Sequence, residues 1–470
     1  MSDMINEIFD LSADALVDNS IKSRLLREYR SDANPTDADP NIVINVRDTS
    51  EWVLLNEAYL EISGLSTGTG ANGVGSNAVA SNMALEAGGC SSLFHTSRLR
   101  VSNVLVESND VFSHYNSFMK QIMNSCDDYT RSIAVSNGFI LDTNASADDS
   151  PYTTTLNAGT VAVPVAVDAG HPALIASTVS NPAYNSGFAT RKALFGLTTA
   201  SRQRQTFYLP LRFLFDFCDT NKCLKGCPIR IELVKRALDE QVYGTAGTTE
   251  AWFSIDRCSL WMPIIQPSLP VLSVLESQLA KGLSIPWTYN NWKTYASDSQ
   301  TGTSRRYTFN SQSDKPIGAF LYFKINRDTA TPVNQKNFNN FAFDHCSATS
   351  VQLLINGLRY PYSAYQPNWS SGNAQDTTRV YAGLMEYMKK YKAETETGSL
   401  INPLNHRSLF PFYYFDFGSL DQLPSNGGYQ ISVEATVAGS ALGVVMYLTV
   451  ISESKWNIVG GEQGLQLLQA

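Results

Sequence analysis

The sequence has few charged residues. Only 17% of its 470 residues are Asp, Glu, Lys or Arg, whereas 11% are aromatic. The net charge of −8 argues against a surface built mainly for nucleic acid, because such surfaces are basic. Low charge and many aromatic residues indicate a β-rich chain with much of its surface covered by partners.

Long apolar runs and a secretion signal are also missing. No stretch of about 18 uninterrupted apolar residues occurs, so no transmembrane helix is predicted. The acidic beginning, MSDMINEIFD, lacks the basic and then apolar pattern of a signal peptide. Seven cysteines, an odd number without a framework spacing, indicate folding in a reducing compartment.

Patterns typical of catalysis are absent. The five histidines are scattered, and none lies in a His-Glu-x-x-His frame. No Gly-x-Ser-x-Gly elbow occurs, and the Gly-rich stretch at residues 66–82 lacks the lysine of a phosphate loop. Carboxylate pairs such as Asp127-Asp128 lie in polar segments typical of loops and helix ends. The sequence therefore predicts no enzyme, no catalytic residue and no cofactor.

One cysteine cluster allows two interpretations. Cys218, Cys223 and Cys227 lie close together, and Cys258 follows 31 residues after the last of them. A zinc site needs four ligands, usually in two regularly spaced pairs, and only Cys258 could complete this set in space. Free thiols in a loop between strands are the simpler interpretation, so no metal site is predicted.

Strand-like segments dominate from Asn41 onward. Runs such as NIVINVRD, GAFLYFKI and YQISVEATV are alternating or apolar and end in turn residues. Many short strands bounded by Gly, Pro, Asn and Ser indicate a sandwich or jelly roll. Two amphipathic segments predict helices near residues 115–124 and 379–391.

One phrase occurs twice. In SVQLLINGLRYP, Asn356-Gly357 predicts a two-residue hairpin turn, because a type I′ turn needs positive φ at both central residues. RLRVSNVLVESN is a looser copy, with Asn103 in the place of Asn356, 253 residues earlier (356 − 103). Each copy follows a His-x-Ser, so His95 and His345 are predicted to lie at matching points of the two copies. Both histidines are expected to cap a strand. The repeat indicates an old duplication.

The first 40 residues form a separate segment. Apolar spacings of three and four predict a helix over residues 4–29, followed by a polar, Pro-containing linker at 31–41. An isolated helix of this length is marginal in water, so its apolar stripe needs a partner. The residues expected to contact neighbouring subunits are Ile5, Ile8, Phe9, Leu16 and Val17.

The order of several phrases resembles one family, the double jelly-roll major capsid proteins of Polinton-like elements, adintoviruses and virophages. SLFHTSRLRVSNVLVES with HYNSFMKQIMNS is similar to the strand pair and helix of the first roll, and LKGCPIRIELVKR to a late strand of it. PSLPVLSVLESQLAKG resembles the bridge between rolls, and NFAFDHCSATSVQLLINGLRYPYSAYQPN an early phrase of the second. The arm, the loop at 66–82 and the Ala/Thr-rich insert at 142–178 depart from the family pattern.

The resemblance implies an all-β fold of two tandem jelly-roll sandwiches, with short helices in the loops and an N-terminal helical arm. The expected division is an arm at 1–40, jelly rolls at 41–270 and 271–460, and a C-terminal tail at 461–470. It also implies a virion capsid protein, assembled inside the host cell. Its homotrimers would form pseudo-hexameric capsomers and tile an icosahedral shell around double-stranded DNA.

The resemblance further implies partners. Neighbouring capsomers, the penton and minor capsid proteins are expected, together with an internal membrane contacted through the arm and no specific nucleic-acid binding. The insert at 142–178 is expected on the exposed tower side. Two alternatives remain, a viral attachment or carbohydrate-binding β-sandwich protein and a secreted glycosidase. The former more often shows a shaft repeat and the latter a signal peptide, and this sequence shows neither.

Overall fold

The structure is a computed structural model, and antiparallel strands make up most of it. It describes residues 20–47, 51–70, 73–74, 83–147, 152–154, 178–195, 204–244, 251–282, 284–311, 315–326, 339–369, 377–391, 399–418, 429–438, 440, 443–461 and 464–469.

Fifteen described strands and three described α-helices belong to the first half. The strands are β1 (Ile21–Arg30), β2 (Asn41–Val46), β3 (Trp52–Leu54), β4 (Tyr59–Gly70), β5 (Gly73–Val74), β6 (Met83–Leu85), β7 (Phe94–Val101), β8 (Val104–Asn109), β9 (Tyr152–Thr154), β10 (Thr178–Ser180), β11 (Arg204–Pro210), β12 (Cys223–Leu224), β13 (Ile229–Lys235), β14 (Val242–Gly244) and β15 (Ala251–Pro267). The helices are α1 (Ser113–Asn124), α2 (Asp127–Arg131) and α3 (Ser186–Phe195).

A bridging helix and a second set of strands follow. The helix α4 (Leu269–Ala280) connects the halves, as the phrase PSLPVLSVLESQLAKG predicts. The second half contains β16 (Ser284–Ala296), β17 (Ser304–Ser311), β18 (Pro316–Ile325), β19 (Ser350–Ile355), β20 (Leu358–Tyr365), α5 (Thr378–Tyr391), α6 (Pro403–Ser408), β21 (Tyr413–Asp416), β22 (Tyr429–Thr436), β23 (Val444–Gly461) and β24 (Gly464–Gln469).

Both halves contain the same two sets of four strands, each set within one sheet. One set has the order β1-β15-β4-β11 in the first half and β16-β23-β18-β21 in the second. The other has the order β2-β13-β7-β8 in the first half and β17-β22-β19-β20 in the second. In each half, eight strands thus follow the same order along the chain and across the sheets, which is the jelly-roll arrangement. The repeated plan predicted from the two phrases is confirmed, whereas its origin by duplication stays a prediction.

The predicted hairpins and the two helices that follow them are present. Ile355 pairs with Leu358, and both turn residues have positive φ, +49° at Asn356 and +85° at Gly357. The first copy turns at Ser102-Asn103, with φ of +49° and +64°. The helices α1 and α5 cover the stretches 115–124 and 379–391 that the sequence predicts.

The alignment of the two copies is wrong by one residue. Val101 and Val104 flank the first turn as Ile355 and Leu358 flank the second, so the repeat is 254 residues (355 − 101). Asn103 therefore corresponds to Gly357 and not to Asn356. The counterpart of His95 is Thr349, and the predicted equivalence of His95 and His345 is wrong. Asn103 and Asn356 look equivalent in the sequence because Ser102, the first residue of the first turn, is not typical of a type I′ turn.

The positive φ in this turn predicts that alanine will have different effects on stability at two glycines. Gly357→Ala is expected to lower the free energy of unfolding by about 1 kcal/mol, because alanine is disfavoured at positive φ. A Cβ at Gly357 would meet no atom within 4 Å, so the effect comes from the backbone alone. Gly302→Ala is the control, since its Cβ would meet only one atom, at 3.8 Å, without a positive φ. The urea concentration at the midpoint of unfolding should be lower for Gly357→Ala and unchanged for Gly302→Ala.

The helix predicted over residues 4–29 is wrong for Ile21–Arg30. These residues form β1, which pairs antiparallel with β15 from Ile21 opposite Pro267 to Arg30 opposite Ser259. Ion pairs across the strands add to this ladder, and backbone pairing with β15 overrides the helical spacing. Glu28 accepts hydrogen bonds from Arg30, Arg257 and Ser259, which hold its pKa at about 2.

Both ends of the chain differ from the predicted division. Of the arm predicted at 1–40, residues 21–30 form β1 and belong to the first sandwich. The five predicted arm contacts, at positions 5, 8, 9, 16 and 17, lie outside the described residues and stay a prediction. Within the tail predicted at 461–470, Gly464–Gln469 form β24, which pairs with β23.

Each sandwich encloses its own apolar core. Alternating residues of the facing sheets fill both cores, as the strand pattern predicts. Among the described residues, no helix is long and apolar enough to cross a membrane.

Candidate functional site

The two sandwiches are joined through a third apolar cluster. The helices α1 and α5 lie in this junction and cover the outer face of the sheet β16-β23-β18-β21. Phe320 and Tyr322 face the junction, whereas Ala319, Leu321 and Phe323 alternate with them and face the second core. The strand β18 is therefore buried on both faces, which explains why its stretch GAFLYF is continuously apolar.

One tryptophan crosses from the second half into the first core. Trp287, on β16, is fully buried and packs in the first apolar cluster. Its ring stacks on Phe217 with centroids 4.9 Å apart, and its Nε1 donates a hydrogen bond to the Phe217 carbonyl over 3.0 Å. This side chain fixes the position of one sandwich against the other.

Three buried carboxylates also connect the halves. Each is paired with a cation of the first half and accepts a hydrogen bond from an N–H group of the second half. Each buried charge is thereby compensated, which a buried carboxylate requires. The three sets are Glu86 with Arg236 and Asn340, Asp142 with Arg191 and Asn339, and Asp216 with Lys120 and Trp292.

Asn339 and Asn340 supply two of these contacts from adjacent positions. Asn339 Nδ2 lies 2.7 Å from Asp142 Oδ2, and Asn340 Nδ2 lies 2.5 Å from Glu86 Oε1. On the opposite side of Asp142, Arg191 Nη2 donates over 2.6 Å to Oδ1. Sequence reasoning missed this network, and the only signal was a polar Asn pair directly before the apolar FAF.

Lys120 lies on α1 between two carboxylates. Its Nζ is 3.0 Å from Asp216 Oδ2 and 3.7 Å from Glu107 Oε1, and all three side chains are buried. Burial raises the pKa of Asp216 well above its usual range and also raises the pKa of Glu107. Burial opposes the charge on Lys120, but the nearby Asp216 and Glu107 outweigh it and raise the Lys120 pKa. The backbone N–H of Trp292 completes this site from the second half over 2.7 Å.

A cavity of about 260 Å³ opens at the same junction beside His114. Arg236, Lys324, His95 and Glu240 line this cavity together with His114. His114 is 6% exposed, and no described atom forms a hydrogen bond with its Nδ1. Burial lowers the His114 pKa well below 6.5, and the charges of Arg236 and Lys324 lower it further.

The low pKa of His114 predicts acid sensitivity. Its contribution to stability is present above pH 6.5 and is lost as pH falls towards the folded-state pKa, because unfolding then takes up a proton. The free energy of unfolding should fall by up to about 1.4 kcal/mol per pH unit below pH 6.5 through this residue. Urea midpoints at pH 7.5, 6.5 and 5.5 measure this slope.

His114→Gln should flatten that slope, and His95→Gln at the same cavity is the matched control. A slope in His114→Gln equal to that of the unchanged protein would contradict the prediction.

The structure does not bring the four cysteines of the predicted cluster together as a set of metal ligands. In the part of the chain that the structure describes, no group of three or more His, Cys, Asp or Glu side chains is placed to hold a metal ion. Cys218, Cys227 and Cys258 are buried thiols outside any disulfide, and Cys223 is partly exposed on β12. Burial raises the pKa of Cys218 well above its usual range, which keeps this thiol protonated.

Equivalent hairpins carry exposed apolar side chains on both halves. Val104 and Leu105 begin β8 and are 37% and 42% exposed, and Leu358 begins β20 and is 58% exposed. Tyr362, further along β20, is 97% exposed. Both β8 and β20 end their sheets in the described part of the chain, so each offers an open strand edge.

The comparisons with known proteins agree with this architecture. Residues 185–417 match the model of the double jelly roll-like domain family. A chain from the Sputnik virophage structure matches with a TM-score of 0.56 and 11% identity, over 99% of this chain and 92% of that chain. The mavirus major capsid protein matches with a TM-score of 0.49 and 10% identity, over 100% of this chain and 96% of that chain. No curated protein sequence matches this chain.

The chain therefore has the double jelly-roll fold, with one complete roll in each half. Its residues 185–417 carry the double jelly roll-like domain, and the resemblance to the double jelly-roll family indicated by the sequence phrases is confirmed.

Proposed function

We propose that this chain is a major capsid protein whose trimers tile an icosahedral shell around a double-stranded DNA genome. The supporting observation is that the same eight-strand arrangement occurs in both halves, and that the buried junction joins the two sandwiches. Three such blocks around a threefold axis would present six sandwiches, which suits a pseudo-hexameric capsomer. A virophage chain shares the fold over nearly its whole length, which favours a place in a virion.

The open hairpins support lateral self-association. Val104 and Leu358 occupy equivalent positions on the two rolls, and both side chains are exposed on a sheet edge. A threefold arrangement alternates first and second rolls around the ring, so equivalent edges recur at regular intervals. Burial of these apolar side chains against a neighbour would remove exposed strand edges that otherwise favour aggregation.

The proposed role is structural and not enzymatic. Neighbouring capsomers, the penton and minor capsid proteins are the proposed partners, in the capsid of a virion assembled inside the host cell. The insert at 142–178 is proposed to lie on the outer, tower side beyond its buried residues Asp142 and Ala147, because surface loops can vary without disturbing either core. Contacts of the arm with neighbouring subunits and an internal membrane belong to the same proposal.

Size-exclusion chromatography with light scattering tests this proposal. Three chains of 51.7 kDa give about 155 kDa, and this mass is expected for the purified protein. Electron micrographs of the same fraction should show six-cornered particles. A single species of about 52 kDa at tens of micromolar would overturn the proposal.

A pair of variants tests the edge contacts. Val104→Asp with Leu358→Asp places two carboxylates on the proposed lateral surfaces and should shift trimers towards monomers by at least about tenfold in dissociation constant. Leu404→Asp is the control, because Leu404 is 82% exposed but lies on α6 outside the strand edges. Equal masses for both variants at every concentration would show that the hairpins lie outside the interface.

A further inference from the structure

The bridging helix α4 is apolar but almost uncovered. Its sequence is LPVLSVLESQLA, in which only one residue is charged. None of its described side chains is buried, and Leu269 and Val274 are 76% and 55% exposed. A helix that is apolar around most of its circumference normally lies inside a protein. The helix α4 therefore presents an apolar surface on which another segment can pack.

A groove of about 320 Å³ runs beside this helix. Val271 and Leu275 of α4 form one wall, and Ile265 of β15 and Ile285 of β16 contribute the opposite one. The walls are largely apolar, with Lys222 and Cys223 at one side. The groove therefore fits an amphipathic segment that has carboxylates beside its apolar residues.

The chain enters the described structure at this groove. Ser20 and Ile21 both line it, and the Ser20 carbonyl accepts a hydrogen bond from the Ser268 backbone N–H over 2.8 Å. Leu16 and Val17 lie four and three residues before Ser20. At about 3.5 Å per residue, they reach no further than about 10 to 14 Å from Ser20. The groove of their own chain lies within this reach, because Ser20 lines it.

The charges of residues 1–19 also favour this N-terminal segment as the occupant of the groove. Residues 1–19 contain five carboxylates and no lysine or arginine. Lys222 lines the groove, and Lys225 lies near α4, with its Nζ 3.4 Å from Glu276 Oε1. An acidic segment with an apolar stripe complements these two lysines and the apolar walls.

We propose that Leu16 and Val17 pack into this groove and that the segment before Ser20 covers α4 of its own chain. The 12 residues of α4 span about 18 Å, whereas 19 residues in a helix would span about 28 Å. The groove therefore accommodates only the part of the segment near Ser20. Ile5, Ile8 and Phe9 extend past α4, where a neighbouring subunit can contact them. This inference does not depend on the proposed capsid function.

Hydrogen–deuterium exchange tests the coverage of α4. The full chain is compared with a variant that lacks residues 1–19, a deletion that ends before β1 and leaves its pairing intact. The amides of Leu269–Ala280 should exchange at least about tenfold faster in the truncated protein, because the helix loses its cover. Peptides from α5 serve as the internal control and should exchange at equal rates in both proteins. Equal rates for α4 in both proteins would overturn the proposal.

Cross-linking identifies the chain to which the segment belongs. Val17→Cys places a thiol near the native Cys223 of the groove, and a short bismaleimide should join the two within one chain. Cys223→Ser in the same background should abolish the product, and Ile5→Cys should give none with Cys223 of its own chain. A dimer band on a denaturing gel would instead show a segment donated by a second copy. That result, or the absence of any product, contradicts packing on the same chain.

Discussion

Trp287→Ala is expected to separate the unfolding of the two sandwiches. Trp287 projects from the second half into the first core, where its ring stacks on Phe217. Its removal leaves a cavity and an unpaired Phe217 carbonyl, and the free energy of unfolding should fall by about 3 to 5 kcal/mol. Because the lost contacts join the halves, calorimetry should show two transitions where the unchanged protein shows one.

Trp369→Ala is the matched control for this experiment. Trp369 is also buried, but it packs within the second core only. Its replacement should destabilise the protein by a similar amount without dividing the transition. If both variants unfold in a single step with the same midpoint, Trp287 does not couple the halves.

Lys120→Met is expected to destabilise the junction by about 3 to 5 kcal/mol at pH 7.5. The change leaves the carboxyl groups of Asp216 and Glu107 buried without their counter-charge. Lys455→Met, at an exposed ion pair with Glu453, should change the free energy of unfolding by less than about 1 kcal/mol. Urea unfolding of the three proteins measures both effects.

The pH dependence of the free energy of unfolding shows whether Lys120→Met destabilises the protein through the lost charge or through lost packing. Burial raises the pKa of Asp216 and Glu107, so their protonated forms stabilise the fold at low pH and this contribution is lost as pH rises through the folded-state pKa. The difference between Lys120→Met and the unchanged protein should therefore shrink at pH 5. Adding Glu107→Gln to Lys120→Met should restore part of the stability at pH 7.5. A defect of constant size at both pH values would indicate lost packing alone.

The strands were predictable because their patterns are local. Alternation in YQISVEATV and the Asn356-Gly357 turn each specify an element within a few residues. The order of phrases then indicated two rolls. The first hairpin shows the limit of this approach, because Ser102-Asn103 adopts the same turn without the same residues.

The N-terminal strand and the junction depend on contacts between distant parts of the chain. Leu25 and Leu26 of β1 suit a helix as well as a strand, and only pairing with β15 decides between them. Likewise, Asp142 and Asn339 are 197 residues apart, and nothing in either local sequence links them. Partners across such distances become visible only in the folded chain.

The strand β18 of the second half, which is buried on both faces, has a consequence for the origin of the protein. A single ancestral roll would have needed a water-compatible outer face, whereas Trp292, Phe320 and Tyr322 now form an aromatic one beneath α1 and α5. After duplication, one copy could lose its solubility as an independent domain because its sibling covered it permanently. Gene fragments that begin at the bridging helix should therefore yield insoluble protein, and co-expression of the missing half should recover it.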